Sequence, residues 1–155
     1  MEKRQMSVEE AAKNGMFPNH EQMANGEKRY RLTNKDDGSS YVRTVAGPTG
    51  AWQDSHFHKR TTVFIVVQKG WMAFAELKHG DMTIHIVKDG ETFVSKPGVP
   101  TNVYMSADAV THSVKFCTTN AEKVNGQDDW HASPELDKIT KSLAEVQIMF
   151  RAGMC

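Results

Sequence analysis

His56 and His58 stand one residue apart in the stretch from Ser55 to Gly70, followed at once by Lys59 and Arg60 and then by an apolar run. On an extended strand, imidazoles at that spacing point to the same side. Together they can ligate a divalent transition metal, or act as acid–base groups without one. A protein-held metal of this kind wants three or four donors from imidazole, thiolate or carboxylate, so two imidazoles alone would hold it weakly. A third candidate lies far along the chain. In Val110–Phe116 the alternation puts His112 with Val110, Val114 and Phe116, which reads as the buried face of a strand. His56, His58 and His112 would then make a three-histidine site with an open position. The opposing reading leaves His112 as a core histidine bonded to a backbone carbonyl, and makes His56 and His58 polar wall residues of a metal-free cavity.

Other groups add chemistry. In Trp71–Glu76 the period of two places Glu76 beside Met72 and Phe74, where a carboxyl among apolar groups suits general acid or base work; its alternative is a strand end in solvent. Lys59 and Arg60 are candidates to anchor a phosphate or carboxylate, against the plainer reading of two solvated charges.

The elements that must position these groups are mostly strands. From about Glu27 to Cys117 the apolar residues alternate or run briefly, rich in Val, Ile, Thr, Phe and Tyr. Gly-containing turns at Asp36–Gly38, Lys69–Gly70, His79–Asp81 and Asp89–Gly90 punctuate them, the spacing of an all-β sandwich or barrel. Residues 1–26 read as a polar arm in which Ser7 and Glu10 form a capping box for a short helix ending near Asn14–Gly15. Residues 27–120 read as the β-domain, and 121–155 as a loop and helix. Ser133–Pro134–Glu135 is the helix start, with Leu136, Ile139, Leu143, Val146 and Phe150 as a single apolar stripe.

Composition excludes several roles. The 155 residues suit one domain, and the 19 basic and 19 acidic side chains leave no field of one sign to recruit nucleic acid or an anionic membrane. No apolar run is long enough to cross a bilayer, and the N-terminal stretch lacks the apolar core of a secretory signal, so a soluble cytoplasmic protein is expected. Cys117 and Cys155, without CxxC spacing, are expected to be reduced thiols.

Gly50, His56 and His58, with Gly70 after the apolar run, resemble the first motif of the cupin family. Gly90, Gly98 and the residues around them partly match the second. The resemblance implies an antiparallel jelly-roll barrel whose inner face carries the site. The departures matter: Val63 stands at the position of the metal-binding Glu, and Thr101 at that of the second motif's His. Lys96 and Met105 fill its Pro and Asn positions. Small cupins with imperfect metal motifs include sugar and nucleotide-sugar isomerases, epimerases and dehydratases. The resemblance therefore implies an enzyme acting on a small polar metabolite, with His58 or His112 as base, Glu76 as acid, and Lys59, Arg60 and Thr101 binding substrate. The alternatives are a dioxygenase, isomerase or lyase holding one weakly bound Fe, Mn, Ni or Zn on the three histidines, or a barrel that binds without chemistry. Pairing through the sheets into a homodimer is also implied. Tyr104 on an outer face is a candidate contact.

Overall fold

The computed structural model describes residues 3–117 and 129–154. Most of the loop expected after residue 121, and Cys155, lie outside the described residues. The chain order is α1 (Val8–Lys13), β1 (Met16–Gln22), β2 (Lys28–Asn34), β3 (Ser40–Val45), β4 (Ala51–Trp52), β5 (His56–Phe57), β6 (Thr61–Lys69) and β7 (Trp71–Lys78). There follow β8 (Asp81–Lys88), β9 (Thr92–Ser95), β10 (Thr101–Met105), β11 (Val110–Cys117), β12 (His131–Ala132), α2 (Pro134–Thr140) and α3 (Glu145–Arg151). One sheet has the order β1-β2-β3-β11-β6-β9, the other β12-β5-β10-β7-β8 with β4 beside β10. Every pairing is antiparallel.

Turn chemistry acts where expected. Gly38, Gly70, Gly80 and Gly90 all have positive φ, which glycine adopts without a Cβ penalty. Gly50 is fixed differently, since a Cβ there would run into the Tyr104 ring and hydroxyl. Ser7 and Glu10 make both bonds of the capping box on α1. The N-terminal segment does more than form an arm, because β1 pairs along its length with β2 and extends the first sheet.

The two sheets face each other over an interior that is apolar at one end. Val63, Ile65, Val67, Met72, Phe74 and Val87 pack there, with Phe93 stacked on Phe74. Behind the second sheet, Ala73, Ala75, Leu77 and Ile84 on its outer face are covered by Leu136, Leu143 and Ile148. The expected single C-terminal helix is two short ones, broken at residues 141–144. The break turns Leu143 and Ile148 inward and leaves Val146 and Phe150 exposed, so the expected stripe is not one face. Tyr104 faces outward from β10 as its alternation implies, but the C-terminal helices cover it: it is buried, and its hydroxyl donates to Glu145.

The first sheet also carries a row of apolar side chains on its outer face. Leu32, Tyr41, Val114, Phe64 and Val94 are successive cross-strand partners over β2, β3, β11, β6 and β9, and each is between 38% and 42% exposed. The inner face of β2, β3 and β11 is correspondingly polar.

Candidate functional site

Arg29, Arg31 and Thr33 on β2 alternate with the outward Tyr30 and Leu32, and Thr111, Ser113 and Lys115 on β11 alternate with His112, Val114 and Phe116. The inner side chains line a cavity of about 410 Å³ between the sheets. Val63, Ile65, Met72 and Phe74 make its apolar floor, while Thr101 and Val103 line it from the opposite sheet.

His56 and His58 both reach this cavity, their ring centroids 4.9 Å apart and nearly perpendicular. His58 is buried. Its Nδ1 lies 2.7 Å from the Asp129 main-chain carbonyl. A carbonyl only accepts, so Nδ1 carries the hydrogen and Nε2 presents a lone pair to the cavity. Among the described residues nothing hydrogen-bonds that buried Nε2. His56 is set the same way by the Asp54 carbonyl at 3.0 Å, and Trp130 stacks on its other side. Burial brings His56 down to about 4, with the Asp54 hydrogen bond opposing and the neighbouring His58 and Lys115 assisting. His58 is lowered too, first by burial and then by Lys115. Both imidazoles are therefore neutral bases at physiological pH.

Asp129 fixes this end of the barrel. Its carboxylate accepts from the backbone N–H groups of Lys59, Arg60 and Thr61 and from the Thr61 hydroxyl. Burial works to raise its pKa, but those hydrogen bonds outweigh burial and hold it at about 2. The residue thus clamps the segment after His58 through its side chain and the imidazole through its main chain.

The cavity lining carries three cations, Arg29, Arg31 and Lys115, and two carboxylates, Glu21 and Asp54. Arg29 pairs with the buried Glu27 at 2.9 Å, and Gln53 and Asn25 complete that carboxylate's bonding. Arg31 pairs with Glu21 at 3.0 Å. Lys115 makes no ion pair among the described residues. Burial pushes it down to about 8, with Arg31 and Arg29 adding to the effect.

Several expected site residues lie elsewhere. His112 faces out of the barrel, with Nδ1 accepting from the Tyr41 hydroxyl and Nε2 bonded to the Gln68 amide oxygen, each at 2.6 Å. A bulge between Val110 and Thr111 buries both of those residues and reverses the alternation beyond them. The three-histidine arrangement is therefore not assembled. Glu76 is buried on the face of Met72 and Phe74 as expected, yet it does not line the cavity. Its carboxylate accepts from Lys78 at 3.2 Å, and His85 lies 3.8 Å away. The Lys59 and Arg60 side chains are exposed and outside the cavity, whose cationic lining residues are Arg29, Arg31 and Lys115. Thr101 does line it, paired in register with both His56 and Glu76.

The fit to a metal fails on donors. Val63 and Thr101 stand where the carboxylate and a further imidazole would be needed. Among the described residues no three His, Cys, Asp or Glu side chains converge. Two neutral imidazoles facing a cationic wall are a poor site for a divalent ion.

Searches of solved structures place this architecture. Oxalate decarboxylase from Bacillus subtilis superposes with a TM-score of 0.60 at 13% identity, covering 92% of this chain and 37% of that one. The structure of KdgF from Halomonas sp. superposes with a TM-score of 0.52 at 14% identity, covering 66% of this chain and 88% of that one. The barrel is a cupin fold. The chain spans less than two fifths of that decarboxylase's length, and at such identities the likeness concerns the fold alone. The crystal structure of Drosophila melanogaster CENP-C bound to CAL1 also superposes, with a TM-score of 0.50 at 14% identity, covering 65% of this chain and 81% of that one. The fold thus does not by itself decide between chemistry and binding. No family model and no curated protein matches the sequence. No helix among the described residues is long and apolar enough to cross a membrane.

Proposed function

We propose that this chain is a cupin-fold enzyme that binds a small carboxylate-bearing metabolite of sugar-acid type and moves a proton next to its carbonyl, with His58 as the acid–base group. The observation that carries this reading is the buried, unpartnered Nε2 of His58, aimed into a cavity whose wall holds Arg29, Arg31 and Lys115. An acceptor with no donor among the described residues, facing a cavity of mixed polar and apolar lining, is a group whose partner can arrive with the ligand. The cations offer a carboxylate its counter-charge, and the apolar floor of Val63, Met72 and Phe74 accommodates a carbon skeleton. Of the relatives in fold, oxalate decarboxylase is named for a small dicarboxylate, which fits an anionic ligand.

The chemistry follows from the tautomer. His58 Nε2 takes a proton from the carbon beside the carbonyl, and the cationic wall offsets the charge that develops on oxygen. Delivery of that proton to the former carbonyl carbon, as the α-hydroxyl proton passes to the carbonyl oxygen, gives isomerisation; a solvent proton taken up on the other face gives epimerisation; and departure of a β-hydroxyl with the abstracted proton, as water, gives dehydration. No step uses a metal, since the donor set does not suit one. Binding without chemistry is the second reading, and it rests on the same cationic wall together with the missing metal ligands.

Uronic acids and 2-oxo acids incubated with the protein in D2O test the reading. Saturable binding and deuterium entry at the carbon next to the carbonyl are expected, with exchange lost in His58→Gln. Binding without exchange would leave only the second reading, and no binding of any carboxylate would sink both.

A further inference from the structure

Lys115 has no structural task among the described residues. It projects from the inner face of β11, directly across from Val63 on β6 and Ser40 on β3, into the cavity that holds His58. Arg29 and Arg31 beside it are each held by a carboxylate, Glu27 and Glu21, whereas Lys115 has none among the described residues. A half-buried ammonium next to two guanidiniums destabilises the fold, and a Ser, Thr or Val would fill the space without that cost. Such a placement is explained by what a primary amine does and a guanidinium does not, which is to attack a carbonyl.

We propose that Lys115 is a covalent catalytic residue whose Nζ forms an imine with the carbonyl carbon of a 2-oxo acid bound in the cavity. This rests on the anionic site described under the proposed function and narrows its substrate to compounds with a free ketone or aldehyde beside the carboxylate. The Nζ lone pair forms the C–N bond while the carbonyl π pair moves to oxygen, which takes up a proton to give a carbinolamine. Loss of that hydroxyl as water, with the nitrogen lone pair closing the C=N bond, gives the protonated imine. Amine, carbonyl and one proton from solvent thus become the protonated imine and water, with no oxidant or reductant. The cationic imine then draws electrons from the adjacent C–H bond as His58 Nε2 removes its proton, leaving an enamine. Burial and the flanking arginines keep part of Lys115 as free amine near neutrality, in line with its value of about 8.

Reductive trapping tests this. The full chain is incubated with pyruvate or glyoxylate and sodium cyanoborohydride, then analysed by intact mass and peptide mapping, with binding of the same acids measured by calorimetry. One reduced adduct per chain on Lys115 is expected, forming at least tenfold faster than on exposed lysines such as Lys59. Lys115→Arg should bind the acids but give no adduct. If that variant fails to fold, the adduct map of the unaltered chain decides alone. Binding with no adduct, or with adducts only on exposed lysines, overturns the imine and leaves the anionic site standing. Absence of both binding and adduct overturns the two together.

Discussion

Lys115 on β11 and Val63 on β6 are direct cross-strand partners on the wall of the cavity. The position that a metal-binding cupin fills with a carboxylate is here apolar, and the residue facing it is a cation. Both changes oppose a divalent ion, one by removing a donor and the other by repulsion. Protein purified without chelator is expected to carry well under one equivalent of transition metal by plasma mass spectrometry, with no change in His58→Ala. Stoichiometric metal that disappears in His58→Ala would overturn the metal-free reading.

Acid should destabilise the barrel in two steps whose signs follow from linkage. His56 is a base held at about 4 in the fold against 6.5 unfolded, so the unfolded chain binds more protons between those values. Stability is then complete above pH 6.5 and falls as pH drops toward 4, by on the order of 3 kcal/mol. Asp129 is an acid held at about 2 against 3.8, so its contribution is present above 3.8 and lost as pH falls toward 2. Urea unfolding at a series of pH values should show both slopes, and His56→Gln should reduce only the upper one, leaving the part that the lowered His58 contributes. A variant that keeps the full upper slope would assign it to another group.

Removing the Asp129 carboxylate should be costly. Asp129→Ala leaves three backbone N–H groups and a hydroxyl without their acceptor, which should destabilise the chain by about 3 kcal/mol. Chemical denaturation measures this. A loss below about 0.5 kcal/mol, the level of an ordinary surface substitution, would mean that water replaces the clamp.

The apolar row Leu32–Tyr41–Val114–Phe64–Val94 gives the homodimer implied by the cupin resemblance a surface to use. Exposed apolar side chains in a continuous cross-strand row are a candidate surface for such pairing. Sedimentation velocity is expected to give a dimer that Phe64→Arg or Val114→Arg converts to a monomer. A dimer that survives both substitutions would have to be formed elsewhere.

Much of the fold was legible because glycine turns and period-two strands are local signals. Gly80 and Gly90, with positive φ and nothing packed against them, report turn geometry that neighbouring residues alone impose. The site was legible only in part. Reading β11 needed the knowledge that this strand is polar inside and apolar outside beyond Thr111, and the ordinary assumption that Val114 and Phe116 are buried put His112 on the wrong side. A signal was present in Arg29-x-Arg31-x-Thr33, Ser40-x-Val42-x-Thr44 and Thr111-x-Ser113-x-Lys115, segments whose polar residues share one phase. Asp129 and Trp130 left no such trace, because their contacts with His58 and His56 span some seventy residues of sequence.

His58 takes its tautomer from a main-chain oxygen of Asp129 rather than from another side chain. The imidazole's electronic state is thus inherited from the path of the chain, and it persists through any substitution at 129 that leaves this path in place. Sequence drift there can erode the barrel's resistance to unfolding while the base keeps its orientation. Stability and basicity at this site are separable under selection, even though one residue supports both.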